Sequence, residues 1–301
     1  MRRNFFVIAN PGAGPGAGLS ISPLVSTVTA ALQAAGASVT TIRPGTAEAA
    51  RQTACEAARG GRFDAIVAAG GDGTIRQVAA ALLGSDTPLG IIPHGTGNVL
   101  AHEIGLSPQP TAITRMLMEG PSTAVRCGYA NKEPFLLMAG AGFDGRVIAS
   151  LDHKFKSYAG KAAYAAPLLG ALASPVDNLA VTIDGSHYEA SWVVIANARH
   201  YGGHFVLAPQ HGIHLRCLQA VLFTAKTRAA RIGQLISLVM GKLDKRAVNQ
   251  GDVKMLPCTR AIISARNPVP TQIDGDAFGF TPLEIEAGSE ELKLILPEKS
   301  A

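Results

Sequence analysis

The sequence predicts a two-part α/β protein with a Rossmann-like first half and a mainly antiparallel β second half. Residues 4 to 120 alternate short β-branched apolar runs with Ala-rich segments of helical spacing, a pattern typical of a parallel sheet flanked by helices. Beyond residue 122, one strand-like run follows another. At roughly 150 residues per domain, a chain of 301 residues is long enough for two domains. We therefore predict a first domain over residues 1–122 and a second over residues 123–301.

The predicted elements of the first half follow one another in a regular order. Each strand candidate is a short apolar run that ends at a loop containing Gly or Pro, and a helical segment follows each loop. The predicted strands are Phe5–Ala9, Ser38–Ile42, Ala65–Ala69 and Leu89–Ile92, and the predicted helices lie near Ile21–Ala35, Ala47–Ala58, Ile75–Leu83 and Val99–Ile104.

The second half is predicted to be mostly strands, with two helical interruptions. Asp184-Gly185 lies between two alternating runs, which indicates a two-residue hairpin turn. The helices are predicted near Tyr158–Leu172 and Arg228–Leu243. The predicted strands are Val125–Tyr129, Phe135–Ala139, Leu179–Ile183, Trp192–Ala196, Ala220–Phe223, Ala261–Ala265 and Leu292–Leu296.

Composition excludes several classes of protein. With 47% apolar and 16% charged residues, the chain can bury a large core, so it is neither disordered nor a charged coiled coil. The net charge of +5 favours phosphates or an acidic lipid surface as partners but is too dilute to indicate nucleic acid. The four widely spaced cysteines form no C-x-x-C pair and favour a reducing cytoplasm. The apolar run Ile232–Met240 has about half the length of a membrane span, so we expect a soluble or peripheral protein.

Three glycine-rich loops follow predicted strands of the first half. They lie where a parallel sheet presents the carboxyl ends of its strands, which is where such sheets bind ligands. Glycines there let the backbone approach an anion and direct N–H groups at phosphate oxygens. The pattern predicts a polyphosphate site. The loops are Asn10-Pro11-Gly12-Ala13-Gly14, Gly70-Gly71-Asp72-Gly73-Thr74 and Pro93-His94-Gly95-Thr96-Gly97-Asn98.

Asp72 indicates the chemistry of this site. A carboxylate among phosphate-binding amides repels the ligand unless a divalent cation bridges the two or the carboxylate takes a proton from an attacking hydroxyl. Both roles belong to phosphoryl transfer. The chain has no G-x-x-x-x-G-K-[ST], no H-R-D or D-F-G set and no G-x-G-x-x-G fingerprint, which disfavours P-loop ATPases, protein kinases and ordinary dehydrogenases.

The loops at residues 70–74 and 93–98 together resemble the catalytic domain of the diacylglycerol kinase superfamily, which includes sphingosine kinases and soluble bacterial lipid kinases. The resemblance covers nearly the whole chain. Asn10-Pro11 looks like the first nucleotide loop of the family, and Ala139–Asp144, Gly160–Tyr164 and Asp274-Gly275-Asp276 match later motifs. The loop at 70–74 alone is shared with NAD kinases and phosphofructokinases, whereas the combination resembles the lipid-kinase branch much more specifically.

The resemblance implies an α/β nucleotide domain followed by a β-sandwich, with ATP bound in the cleft between them. It implies that Asp72 lies at the Mg2+–ATP phosphates and that Asp276 acts as the general base. The substrate would be a lipid, reached at a membrane surface. The implied nucleotide-binding residues are Asn10, Pro11, Gly70, Gly71, Gly73, Thr74, Gly95, Thr96 and Asn98.

The chain departs from the family pattern at three places. Family members usually have Glu where this chain has Asp276, and a carboxylate that is one methylene shorter still accepts a proton if the backbone shifts or a water intervenes. They often have Asp where this chain has Val99. The segment Pro209–Arg216 lacks the acidic residues that hold a structural Mg2+ in relatives, so we predict that this ion site is weakened or lost.

Two further clusters allow two interpretations each. The histidines at positions 200, 204, 211 and 214 invite a metal site, but the glycines among them disfavour it. The segment Lys226–Arg246 has an apolar centre and basic ends, so it predicts a helix that either lies on an anionic membrane or packs its apolar face on the sandwich. The smaller basic cluster of Lys154, Lys156 and Lys161 allows the same two interpretations.

The predicted function is that of a cytoplasmic, ATP-dependent lipid kinase that visits the membrane. One alternative is an NAD kinase, and another is a non-catalytic regulator that binds nucleotide or lipid. Diacylglycerol, sphingoid bases, monoacylglycerol and phosphatidylglycerol all present a suitable hydroxyl, and neither the acceptor nor the oligomeric state follows from the residues.

Overall fold

The structure, a computed structural model, describes residues 1–10, 22–151 and 160–298. It contains two compact units. Unit 1 comprises Met1–Val125 and Glu290–Ala301, and unit 2 comprises Arg126–Ser289. The predicted division assigns every residue after 122 to the second domain. The structure differs because the last strand carries the chain back into unit 1.

Unit 1 contains a parallel sheet with the strand order β2-β1-β3-β4. The end of the last strand, β18, joins it in parallel, with Leu294 opposite Leu89. Strands β3 and β4 are buried along their whole length, as their unbroken apolar runs predict. The strands are β1 (Asn4–Ala9), β2 (Ser38–Ile42), β3 (Ala65–Gly70) and β4 (Leu89–Pro93).

Five helices connect these strands or follow them. Thr46 caps α2, since its hydroxyl accepts from the N–H of Ala49 at 3.1 Å. Proline occupies the first turn of both α1 and α5, where its missing N–H costs nothing. The sequence did not predict α5, and α3 begins three residues before its predicted start. The helices are α1 (Pro23–Ala34), α2 (Ala47–Arg59), α3 (Asp72–Leu82), α4 (Val99–Glu103) and α5 (Pro110–Glu119).

Unit 2 is made mainly of antiparallel strands, and β5 (Ser122–Ala130) leads into it from unit 1. Its remaining strands are β6 (Glu133–Phe135), β7 (Met138–Ala141), β8 (Leu179–Ile183), β9 (Ser186–Ala190), β10 (Trp192–Ala196), β11 (His200–Tyr201), β12 (Phe205–Val206), β13 (Leu218–Phe223), β14 (Val253–Cys258), β15 (Arg260–Ala265), β16 (Pro270–Ile273), β17 (Asp276–Phe280) and β18 (Leu283–Ile295). Its helices are α6 (Phe143–Ala149), α7 (Ala165–Ala173), which a 3-10 helix (Gly160–Tyr164) precedes, α8 (Arg228–Val239) and α9 (Leu243–Gln250).

Two sheets enclose the core of unit 2. One has the antiparallel order β14-β13-β10-β7-β16-β17, and the other includes the antiparallel series β18-β15-β8-β9. Their inner faces meet in one apolar cluster, in which Val193 and Ile195 of the first sheet are grouped with Val181 and Ile263 of the second. This is the β-sandwich that the family resemblance implies.

Three elements predicted in the second half of the chain were wrong in extent. The strand predicted at Phe135–Ala139 is interrupted, because the N–H groups of Leu136 and Leu137 donate to the side chain of Asp274. The helix predicted at Arg228–Leu243 is two helices, since Gly241 adopts a left-handed φ of 63° between them. The strand predicted at Leu292–Leu296 is the end of the long strand β18.

Candidate active site

Asn10, the residue that follows β1, lies beside the loop after β3, which in turn lies beside the loop after β4. The backbone N–H of Asn10 donates to the carbonyl of Ala69 at 3.0 Å, and the N–H of His94 donates to the carbonyl of Gly70 at 2.8 Å. A side-chain contact joins the first two loops, because Nδ2 of Asn10 donates to the hydroxyl of Thr74 at 2.9 Å. The parallel sheet therefore brings Asn10 and the loops after β3 and β4 together, as the sequence predicts for these residues.

Two of these loops approach so closely that only glycine fits between them. A Cβ atom built on Gly95 would lie 2.6 Å from the Cα of Gly71, and one built on Gly70 would lie 2.7 Å from the side chain of Thr74. Gly71 is also the N-cap of α3. The glycines thus expose backbone at the start of a helix, an arrangement that favours anion binding.

Asp72 links the second loop to the third. Its Oδ2 accepts from the N–H of Val99 at 3.0 Å, and its Oδ1 accepts from the N–H of Leu100 at 3.1 Å. Asp72 is the first residue of α3, and the two donors begin α4. The carboxylate therefore lies at the positive ends of two helices, which stabilise its negative charge.

The third loop is closed by Asn98. This residue adopts a left-handed conformation with φ of 46°, and its Oδ1 accepts from the N–H of Gly95 at 2.7 Å. Asparagine tolerates this conformation better than most residues do. Val99, at the position where relatives often have Asp, is 6% exposed, so its side chain belongs to the core and its N–H serves Asp72.

The remaining predicted nucleotide residues of unit 1 stay predictions. Gly73 and Thr96 lie in the same two loops and are half-buried. Pro11 and the glycines that follow it lie outside the described residues. Asn10, Gly70, Gly71, Asp72, Thr74, Gly95 and Asn98 are connected by the contacts above, while their roles toward a nucleotide are matters for experiment.

The Asp274-Gly275 turn organises the corresponding region of unit 2. Asp274 is 7% exposed, and its carboxylate accepts from three consecutive backbone N–H groups, those of Leu136, Leu137 and Met138, at 2.8 to 3.0 Å. Asp274 and Gly275 both have positive φ, as a two-residue hairpin requires. Asp276 begins β17 directly after this turn and pairs with Ile273. The predicted base is therefore half-buried and held next to a tightly fixed turn.

Asp144 is a second buried acid of unit 2. It is 3% exposed and accepts from Nε2 of Gln272 at 3.0 Å and from the N–H of Gly145 at 2.8 Å. Burial raises the pKa of Asp144 to about 7, although these hydrogen bonds oppose the shift. Gln272 also accepts from the N–H of Gly275 at 2.9 Å, which connects Asp144 with the turn before Asp276.

The motif around Asp144 requires small residues. A Cβ atom on Gly140 would lie 2.5 Å from Oδ2 of Asp144, and one on Gly145 would lie 2.0 Å from the carbonyl oxygen of Pro270. Gly142 adopts a φ of 101°. Gly145 is thus explained by the close packing of α6 on β16, and Gly140 by its contact with the side chain of Asp144.

The described residues do not form a metal site from protein side chains alone. No group of three or more His, Cys, Asp or Glu side chains placed to hold a metal ion occurs in residues 1–10, 22–151 and 160–298. The cluster of His200, His204, His211 and His214 is therefore not arranged as a metal centre in the part that the structure describes.

Comparison with known proteins decides the family. A model described as the diacylglycerol kinase catalytic domain matches residues 4–130, and one described as the YegS C-terminal NAD kinase beta sandwich-like domain matches residues 138–296. The chain belongs to the YegS-like family of lipid kinases. The two matches correspond to the Rossmann-like half and the β-sandwich half, so the recognition and the fold class predicted from the sequence are confirmed.

Relatives agree with this assignment. A Pseudomonas putida protein named "Probable lipid kinase YegS-like" is 30% identical over 247 residues, which are 79% of this chain and 79% of that protein. The uncharacterised protein sll0036 of Synechocystis is 28% identical over 240 residues, or 78% of this chain, and the match spans only 55% of its length. The chain thus spans about half of that relative.

Solved structures show the same fold. A crystal structure of a diacylglycerol kinase from Bacillus anthracis aligns with a TM-score of 0.72 at 19% identity, covering 100% of this chain and 99% of that one. In the described part of the chain, no helix has the length and apolarity needed to cross a bilayer.

The sequence indicated the loops but missed the contacts that fix the acids. Asp144 and Asp274 appear in recognised motifs, yet their burial depends on segments that are distant in the chain, such as residues 136–138 and Gln272. The capping of α4 by Asp72 was also missed. The available signal for that cap was the short helix that begins directly after the Asn98 loop. This helix has no acidic residue in its own first turn.

Proposed function

We propose that this chain transfers the γ-phosphoryl group of ATP to a hydroxyl group of a lipid. The observation that carries the proposal is the position of Asp72, a half-buried carboxylate held by two amides between glycine loops that leave no room for side chains. Loops of this kind bind phosphates through backbone N–H groups, and phosphoryl transfer depends mainly on positioning and electrostatics. Membership of a lipid kinase family supports the acceptor class.

The residues of unit 1 fit a magnesium ion that is held jointly with a nucleotide. Mg2+ prefers oxygen ligands and is usually bound by one or two carboxylates together with substrate phosphates. Asp72 presents such a carboxylate between the glycine loops, where it accepts from two backbone N–H groups. When bound, the ion would offset the negative charge of the phosphates. Asp72 is the residue that we propose would hold it.

Asp276 is proposed as the base of the reaction. In the transfer step, the lipid hydroxyl loses its proton to Asp276, its oxygen bonds to the γ-phosphorus, and the bond from that phosphorus to the bridging oxygen of ADP breaks. Asp276 suits this role because it is half-buried directly after a turn that Asp274 fixes. Gly71, Gly73, Thr74, Gly95, Thr96 and Asn98, together with Asn10, are proposed to surround the phosphates.

Substrate lipids lie in membranes, so we propose that the protein works from the cytoplasm and binds the membrane transiently. The moderate net charge of +5 supports an acidic surface as its partner. Nothing in the site favours nucleic acid.

The test is to incubate the protein with γ-labelled ATP, Mg2+ and mixed micelles that carry a panel of hydroxyl lipids. We expect label in the organic phase for at least one lipid. Asp276→Asn should abolish this transfer, whereas Asp276→Glu should retain at least a tenth of it because the carboxylate remains.

The alternatives have distinct results in the same assay. Label in NADP, when NAD is supplied, would identify an NAD kinase. Tight ATP binding with no label in any acceptor would identify a non-catalytic regulator. Either result with folded protein contradicts the proposal, and so does full activity of Asp276→Asn.

A further inference from the structure

Helix α8 in unit 2 and its C-cap residue Met240 expose four large apolar side chains. Ile232, Ile236, Val239 and Met240 are 42%, 53%, 54% and 58% exposed. Their spacing along a helix places them within an arc of about 100°, so they form one continuous strip, which we call the α8 stripe. Exposed apolar side chains are normal when scattered, but four on one helix face indicate a contact surface.

The inward face of α8 is formed by Arg231, Gln234 and Leu238 and includes none of these four residues. Arg231 is 2% exposed, and its guanidinium donates to the carbonyls of Leu172 and Ser174 at 2.7 and 2.8 Å. Gln234 is fully buried and donates to the carbonyl of Asp252 at 2.7 Å. Leu238, which is 1% exposed, also belongs to the buried face, so that face is mixed and the α8 stripe lies outside it. The interpretation that the helix packs its apolar face on the sandwich is therefore wrong for the four residues of the stripe.

Basic residues border the α8 stripe at both ends. Lys226 and Arg228 precede it, Lys242 and Lys245 follow it, and all four are exposed. We call them the basic rim. Asp244 is the one acidic residue between positions 226 and 245 of the sequence. The rim therefore has a clear positive excess around an apolar strip.

The position of Arg228 indicates that its positive charge interacts with a partner and does not stabilise the helix. It is the first residue of α8, where the positive end of the helix disfavours a cation. Thr227 already caps this end by accepting from the N–H of Ala230 at 3.2 Å. Arg228 also lies one turn before Ile232, which places it on the same side of the helix as the stripe.

We propose that the α8 stripe and the basic rim dock unit 2 on a membrane surface that contains anionic lipid. Apolar side chains on such a helix enter the boundary between headgroups and acyl chains, and the basic residues contact the lipid phosphates. The arrangement of an apolar centre between positive ends fits a bilayer interface, which has an apolar layer beneath a negative one. The biological use of this surface rests on the proposed function, but its binding is measurable without it.

The test is flotation of the full-length protein with vesicles, without nucleotide. One set of vesicles is phosphatidylcholine alone, and the other contains phosphatidylglycerol as well. We expect the protein to bind the second set at low salt. The double variant Ile236→Ser/Val239→Ser should lower the partition constant more than tenfold, because two apolar side chains no longer enter the interface. Its melting temperature should not change, since both side chains are exposed.

Matched variants separate the contribution of the apolar stripe from that of the positive charges. Ile236→Leu/Val239→Ile keeps the strip apolar and should bind as the wild type does. Arg228→Gln should weaken binding to the anionic vesicles about fivefold. Arg59→Gln removes an exposed arginine from α2 in unit 1 and should have no effect.

Three results would overturn the proposal: equal binding to both vesicle sets, no binding of the wild type, or undiminished binding of the serine double variant. A fourth is a wild type that is dimeric without vesicles and a double variant that is monomeric, which would assign the stripe to an interface between copies of this chain. Because the flotation assay contains no ATP, its result does not depend on whether the protein has kinase activity.

Discussion

Asp72 in unit 1 and Asp274 in unit 2 are held by the same kind of hydrogen bond, but we assign the two acids different roles. Each carboxylate accepts from backbone N–H groups of a distant segment, two for Asp72 and three for Asp274. Asp274 is 7% exposed and fixes a hairpin, whereas Asp72 is half-buried between glycine loops. The comparison teaches that the same pattern of hydrogen bonds occurs at an enclosed acid that fixes a hairpin and at a less buried acid between glycine loops, to which we assign the role in phosphoryl transfer.

The strongest effect on stability is expected from Asp144, the enclosed acid whose pKa burial raises to about 7. The unfolded chain loses this proton near pH 4 and the folded protein near pH 7, so stability falls as the pH rises between these values. Asp144→Asn has no such charge to bury. Its free energy of unfolding relative to wild type should rise by about 4 kcal/mol between pH 4 and pH 8. Urea denaturation at both values measures this, and parallel pH profiles of the two proteins would contradict it.

Removing the charge of Asp274 should destabilise unit 2 by about 3 kcal/mol, because hydrogen bonds to a buried charged group are strong and an amide cannot accept from all three N–H groups. The variant Asp274→Asn and urea denaturation at pH 7 test this. If the loss stays under about 1 kcal/mol, the enclosed acid has no structural role and the contrast with Asp72 fails.

Forcing the two glycine loops apart should destabilise the protein less than removing the charge of Asp274 does. In Gly95→Ala, the new Cβ would meet the Cα of Gly71 at 2.6 Å, so the loops must move apart at a cost of about 2 kcal/mol. We expect ATP affinity, measured by calorimetry, to fall about tenfold. Gly45→Ala is the control, since nothing lies within 4 Å of its Cβ position. Equal affinities for the two variants would show that the close approach does not shape the site.

The smallest effect concerns the contact between Asn10 and Thr74. Thr74→Val removes the hydroxyl that accepts from Nδ2 of Asn10 and should cost about 1 kcal/mol. ATP affinity should fall by a few-fold, because the first loop loses its tie to the second. Thr29→Val, on the exposed side of α1, should leave affinity unchanged. An unchanged affinity in Thr74→Val would remove Asn10 from the proposed site.

Local sequence pattern was sufficient for the strands and loops of unit 1. Unbroken apolar runs such as Ala65–Gly70 belong to buried parallel strands, and the glycines that follow them mark the loops. Unit 2 was harder because its strands include edge and irregular segments. Pro257 lies within β14, Pro270 begins β16, and β17 is an edge strand with mostly accessible residues, so none of the three shows the usual alternation.

The site was predictable as a set of residue types but not as a set of contacts. The loop motifs identified Asp72 and Asp276, whereas the buried state of Asp144 depends on Gln272, 128 positions away. The sequence also left two orientations open for α8, because it does not show that Arg231 and Gln234 point inward. Burial of polar side chains is decided by partners that are distant in the chain, and local sequence patterns do not identify those partners.

The central claim is that Asp72 serves phosphoryl transfer rather than folding, and Asp72→Asn tests it most directly. The lipid-dependent rate of ADP formation and the free energy of unfolding are measured on the same preparation. We expect the rate to fall at least 100-fold, with a loss of stability of about 1 kcal/mol at most, because the amide oxygen still caps one N–H of α4. A folded variant that retains at least a fifth of the wild-type rate would contradict the account.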